Sequence, residues 1–132
     1  MLRELAQDMP DLGDLLPRVH EFSMASLKFY QKLPNTTEAQ TPGKQFLRSS
    51  SAVEANYRAA RRGRSRADFT AKLGIVLEEA DESVNWLEYM RDGKIASDPG
   101  LLSEAKQLCA IFTAAVKTAR RNLKRERERE NP

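Results

Sequence analysis

Apolar positions recur along the chain in a way that divides it into four helical stretches. From about residue 11 to 33, Leu12, Leu15, Val19, Phe22, Ser26, Phe29 and Leu33 follow at steps of three and four, the spacing of one helical stripe. Asp11 and Asp14 stand at its start, where carboxylates complement unpaired backbone N–H groups, and Pro34 ends it. Residues 34–41 read as a loop, and Thr41-Pro42 reads as an N-cap followed by proline at the first helical position. A second helix is therefore predicted over 42–62, with Phe46, Ser50, Val53, Tyr57 and Ala60 inward. Its small residues, Ser49, Ser50, Ser51, Ala52 and Ala55, would let a neighbouring helix come close.

The third helix has the cleanest pattern. Gly63 is placed to cap the second helix, and Ser65 with Asp68 has the spacing of a capping box. Phe69, Leu73, Val76, Ala80, Ser83, Leu87 and Met90 then form a heptad seam over 66–92. Leu77, Val84 and Trp86 widen that seam to the stripe a bundle needs. Gly93 stops the helix, and Asp98-Pro99 starts a fourth over 99–127. This last helix turns Leu101, Ala105, Leu108, Phe112, Ala115, Ala119 and Leu123 inward, with Cys109 and Val116 flanking them. Short links between the later helices favour antiparallel neighbours. The predicted fold is all-α, an antiparallel up-down four-helix bundle in a single domain over 1–132.

Composition sharpens this picture in a few places. With 132 residues the chain suits one domain with a real core. No apolar run approaches the ~20 residues that cross a bilayer, so no membrane partner is expected. The opening residues lack the apolar stretch of a secretion signal, and Cys109 is the only cysteine. Both point to the cytoplasm, and they make the glycosylation pattern at Asn35-Thr36-Thr37 a chance match. The net charge of +3 conceals blocks of alternating sign. Residues 44–66 hold seven basic side chains against one acidic, whereas residues 67–98 hold three against eight.

Catalytic and metal chemistry finds little support. A di-iron bundle needs two Glu-x-x-His pairs, and His20 is the one histidine, which also defeats zinc sites built from several His or Cys ligands. Cys109 reads as a core thiol, because no activating base accompanies it. Glu78, Glu79, Asp81 and Glu82 fan around an outer helical surface, solvated or facing arginines. No phosphate-cradling glycine loop or nucleophile elbow is present. The expectation is a protein that is not an enzyme and uses no cofactor and no metal.

The most unusual segment runs from Tyr57 to Arg66. It holds Arg58, Arg61, Arg62, Arg64 and Arg66 at a predicted helix end and turn. Cations at a helix C-terminus are favourable in themselves, and several would be placed to pair with the acidic third helix. Guanidinium forks also match phosphate oxygens, so the cluster equally fits a nucleic-acid-binding patch. Arg120, Arg121, Lys124 and Arg125 near the end of the fourth helix either extend that patch or belong to a solvated tail with alternating charge.

At these residues the chain resembles a known family. The run Gln45-Phe46-Leu47-Arg48-Ser49-Ser50-Ser51-Ala52-Val53-Glu54-Ala55-Asn56-Tyr57 is similar to the second-helix signature of the "four helix bundle protein" family. That family includes proteins encoded in intervening sequences of 23S ribosomal RNA genes. The likeness continues through Arg64-Ser65-Arg66-Ala67-Asp68-Phe69, Leu73-Gly74-Ile75, Glu79-Ala80-Asp81-Glu82-Ser83 and Trp86-Leu87-Glu88. It departs at Ala59 and Ala60, where many members carry an acidic residue and a glycine. The resemblance implies a bacterial, non-enzymatic bundle that assembles with itself, with a homopentameric ring known among relatives. A related accessory protein of diversity-generating retroelements is a basic ring that binds nucleic acid and a reverse transcriptase. Carried over by position, Asn56 would be the polar residue that braces the turn after the second helix.

Two readings remain at this level. One is a homo-oligomeric bundle that binds RNA or DNA mainly through phosphate contacts. The other is a protein-interaction module whose second and third helices meet a protein partner. Trp86 and Tyr89, beside the core stripe, suit a subunit interface in either case, or simply close the bundle edge.

Overall fold

The computed structural model describes residues 15–131, so the predicted roles of Asp11, Leu12 and Asp14 fall outside the described residues. These residues form four helices and no strand: α1 (Leu15–Gln31), α2 (Thr37–Arg61), α3 (Arg66–Asp92) and α4 (Pro99–Glu130). α2 packs against both α1 and α3, α4 packs against α3, and α1 touches α4 more lightly. Cross-helix contacts fix the directions. Phe29 meets Phe46 edge-on at 5.5 Å and His20 meets Glu54 at 2.9 Å, so α1 and α2 run opposite ways. Ser49 meets Ser83 at 3.0 Å while Gly63 lies against Phe69, and Lys106 to Glu88 at 3.9 Å goes with Arg66 to Glu126 at 2.7 Å, which shows the same for the later pairs. The chain is an up-down bundle.

The predicted stripes supply the core. All seven seam residues of α3 are buried, as are the five predicted on α2. Tyr57, Phe46, Phe112, Leu73 and Met90 are among its largest fully buried side chains. Inside it the hydroxyls of Ser49 and Ser83 lie 3.0 Å apart, which lets α2 and α3 approach closely. On α4 Leu101, Ala105, Leu108, Phe112 and Ala119 are buried as predicted, together with Val116, while Ala115 and Leu123 are only half-buried. A four-residue step from Phe112 keeps the side chain on the inner face, because the helix repeats every 3.6 residues.

Helix ends show the physics of the links. Ser65 accepts a hydrogen bond from the Asp68 N–H at 3.0 Å, and Asp98 accepts one from the Leu101 N–H at 3.0 Å, both as N-caps. α2, by contrast, begins five residues before its predicted start. Thr36 is the N-cap, accepting from the Ala39 N–H at 3.3 Å, and Pro42 lies inside the helix. The carbonyl deprived by Pro42 belongs to Glu38, in the exposed first turn where water can serve it, while the proline ring is buried. Neither capping glycine adopts a left-handed backbone. Lys94 takes the positive φ, 57°, after Gly93. Gly63 is needed for space instead: a Cβ there would lie 3.0 Å from the Ala60 carbonyl and 3.1 Å from the Phe69 nitrogen.

Candidate nucleic-acid interface

The basic segment begins on the last turn of α2. Arg58 and Arg61 lie there, favourably placed at the negative end of the helix dipole. Arg62 is the C-cap residue, and the turn through Gly63 and Arg64 leads directly into α3. Asp68 holds this turn by accepting from the Arg64 backbone N–H at 3.2 Å and from Lys72 at 3.0 Å. Lys72 chiefly, and then the Arg64 N–H, keep its carboxyl below the usual aspartate range. Asn56 plays a different part from the one expected of it. Its amide donates to the Ala52 carbonyl one turn back, at 2.9 Å, within its own helix, and Ser65 with Asp68 brace the turn in its place.

Arg66 brings in the second basic segment. Its guanidinium meets Glu126 at 2.7 Å, which seats the end of α4 beside the start of α3. Arg120 joins in further along, its Nη2 lying 3.9 Å from where a Cβ on Gly74 would be. The two stretches of arginine, far apart in sequence, therefore share one end of the bundle. Arg58, Arg62, Arg64, Arg120, Arg121 and Lys124 are exposed, and Arg61 and Arg66 are half-buried.

Acidic partners for this end are few. Arg58 pairs with Glu54 at 2.7 Å, one turn back on the same helix. Arg61, Arg62, Arg64, Arg120, Arg121 and Lys124 make no ion pair with another described residue. The acidic face of α3 finds its partners elsewhere. Arg48 binds Glu79 and Glu82, and Glu88 lies near Arg91 and Lys106. The Arg48 hydrogen bond, aided by the Trp86 indole and opposed by burial, holds the Glu82 carboxyl below its ordinary range. The acidic helix is thus paired by Arg48, a residue outside the arginine cluster, and not by the cluster itself.

Reading the sequence missed part of the basic face. Lys117 and Arg127 stand three or four residues from Arg120 and Lys124, so all four project from one side of α4. The signal was the periodicity of the charges, overlooked beside the alternating signs of the tail. Lys106, eleven residues before Lys117, marks where this side lies by meeting Glu88 of α3.

The sequence profile of the 23S rRNA-intervening sequence protein family matches residues 14–114. The chain belongs to that family. A solved structure from Bacteroides thetaiotaomicron, a protein with unknown function from the S23 ribosomal protein family, is similar to it, with 27% sequence identity and a TM-score of 0.75. The likeness covers 81% of this chain and 98% of that one. No characterised protein matches significantly. The α2–α3 turn lies inside the region that defines the family, whereas Lys117, Arg120, Arg121, Lys124 and Arg127 lie beyond it.

The other candidate groups carry no comparable arrangement. Cys109 is half-buried, and burial with the nearby Asp81 pushes its thiol up to about 11, so it stays protonated at neutral pH. His20 rests on the Glu54 carboxylate, donating from Nδ1 at 2.9 Å. Among the described residues no group of three or more His, Cys, Asp or Glu could hold a metal, and no helix is long and apolar enough to cross a membrane.

Proposed function

We propose that this family member is a non-enzymatic, self-assembling bundle that binds nucleic acid, RNA foremost, through the arginines at one bundle end. The observation that carries the reading is the absence of side-chain ion pairs for Arg61, Arg62, Arg64, Arg120, Arg121 and Lys124 among the described residues, while Glu79, Glu82 and Glu88 of α3 are met by other cations. Exposed guanidinium groups held on helices attract phosphates without reading bases, so affinity should depend on salt far more than on sequence. The family's link to intervening sequences in 23S rRNA makes RNA the first ligand to test. Self-association, as a ring of five in the form relatives suggest, is supported by exposed Tyr89 and Ile75 and half-buried Trp86 on α3.

Fluorescence anisotropy of a labelled structured RNA, titrated at several salt concentrations, tests the binding. Micromolar or tighter affinity that falls steeply with salt, and that Arg61→Gln, Arg62→Gln and Arg64→Gln together weaken on every RNA, is the expected result. Absence of binding at low salt would remove the proposal and turn the search to protein partners, the second reading of the same surface.

A further inference from the structure

The cations of α4 suggest which form of nucleic acid the surface suits. Lys117, Arg120, Lys124 and Arg127 occupy one side of the helix, over a length of about 15 Å, with neighbours about 5–6 Å apart. Two contacts place that side along α3. Lys106 meets Glu88, and fourteen residues further on Arg120 reaches Gly74, fourteen residues back along α3. The groove therefore changes character along its length. From Lys106 toward Lys117 its α3 wall carries Glu88, Asp81 and Glu78, and only at Gly74 and Ala71, beside Arg120, does it become uncharged.

Gly74 is the second observation. A glycine inside a helix costs about 1 kcal/mol relative to alanine. Nothing among the described residues demands it, since a Cβ would meet only the tip of Arg120 at an ordinary 3.9 Å. The space beside Arg120 is open to a ligand backbone. The third observation concerns aromatic rings. Binding to single strands relies on exposed rings on which bases stack. At this end Tyr57, Phe69 and Phe112 are buried, and the exposed Tyr89 lies fifteen residues along α3 from Gly74, roughly 22 Å away. A row of cations with no stacking platform beside it among the described residues fits a surface whose phosphates are already spaced by base pairing.

Resting on the nucleic-acid reading above, we infer that the ligand is double-stranded and that one of its backbones lies along the α3–α4 groove, with phosphates on Lys117, Arg120, Lys124 and Arg127 and its closest approach at Gly74. The phosphodiester duplex is chemistry that RNA and DNA share.

The test uses the full chain and three labelled probes of one sequence: a 20-base-pair RNA duplex, the DNA duplex and the RNA single strand. Anisotropy is measured across a salt series, with oligomer mass from light scattering. Either duplex should bind at least ten-fold tighter than the single strand, and the two duplex arms show which sugar is preferred. Changing Lys117, Arg120 and Lys124 together to glutamine should flatten the slope of log affinity against log salt by about 3. Gly74→Gln, which favours helix, should weaken duplex binding at least five-fold with no fall in melting temperature. Equal or tighter binding of the single strand overturns the inference and leaves the nucleic-acid reading standing. Binding of none of the probes fails that reading itself. A Gly74→Gln protein with altered oligomer mass and unchanged duplex affinity overturns the inference too, by assigning the groove to a second copy of the chain.

Discussion

Single residues in this bundle answer to space and hydrogen bonding more than to charge. Gly63 sits where α2 turns into α3, where a Cβ would press against the backbone of Ala60 and Phe69. Backbone cannot move aside cheaply, so Gly63→Ala should lower stability by about 1–3 kcal/mol in denaturant melts. An unchanged midpoint would show that the turn has slack. Ser26 presents the opposite case. Its hydroxyl is fully buried on α1 with no partner among the described residues, and such a group costs about 1–3 kcal/mol to leave unmade. Ser26→Ala is expected to raise the melting temperature; a drop would reveal a hydrogen bond, such as one to a buried water. Both positions were visible in the sequence only as a glycine in a turn and a small residue on a stripe. Their roles depend on what lies opposite.

At the scale of elements, caps and cross-helix ion pairs set where each helix begins and how it sits. Ser65→Ala removes the acceptor for the Asp68 N–H and should cost about 1 kcal/mol, checked by thermal melts followed by circular dichroism. The clasp between α1 and α2 titrates. Burial pushes the Glu54 carboxyl up, but hydrogen bonds from Arg58 and His20 outweigh it, and the net shift is downward. A carboxyl depressed in the folded state stabilises the fold above its unfolded pKa and loses that contribution as pH falls through the folded value. Stability should therefore hold level above about pH 5 and decline with acid, and Glu54→Gln should flatten the decline. A Glu54→Gln protein whose acid profile matches that of the parent would assign the decline to other carboxylates, such as Glu82. The start of α2 shows how an element can be misplaced. Pro42 reads as a first-turn residue, yet Ala39, Pro42 and Gly43 are all buried, Gly43 close to Tyr30 and Leu33 at the end of α1, and this burial holds the helix five residues longer.

For the whole molecule, the question is how charge is distributed between folding and binding. Arg48 is consumed internally by Glu79 and Glu82, and it makes a useful control. Arg48→Ala should lower stability by under about 1 kcal/mol, because its side chain is half exposed, and leave nucleic-acid affinity unchanged. Loss of binding in that variant would widen the interface to the middle of the bundle. The same distribution explains why a near-neutral chain can present a strongly basic end: Glu79, Glu82 and Glu88 of mid-α3 are met there by Arg48, Arg91 and Lys106, while at the basic end Asp68 and Glu126 are already taken by Lys72 and Arg66.

The fold was legible because burial of a helical stripe imposes a period, and period survives in sequence without any partner being known. The seam from Phe69 to Met90 came directly from it, while the caps at Ser65 and Asp98, which bound α3 and α4, were legible from residue type and spacing. The arginines of the α2–α3 turn could be named from composition alone. Which of them are free could not, since an ion pair depends on distances between segments remote along the chain. Folding alone decided that Arg48 serves the acidic helix, that Arg66 takes Glu126, and that Asn56 bonds to its own helix. Antiparallel packing of α3 and α4 also set Arg120 beside Gly74 and joined two basic segments into one surface. Helical period is local and can be read along the chain, whereas charge pairing follows from packing, and packing belongs to the folded molecule.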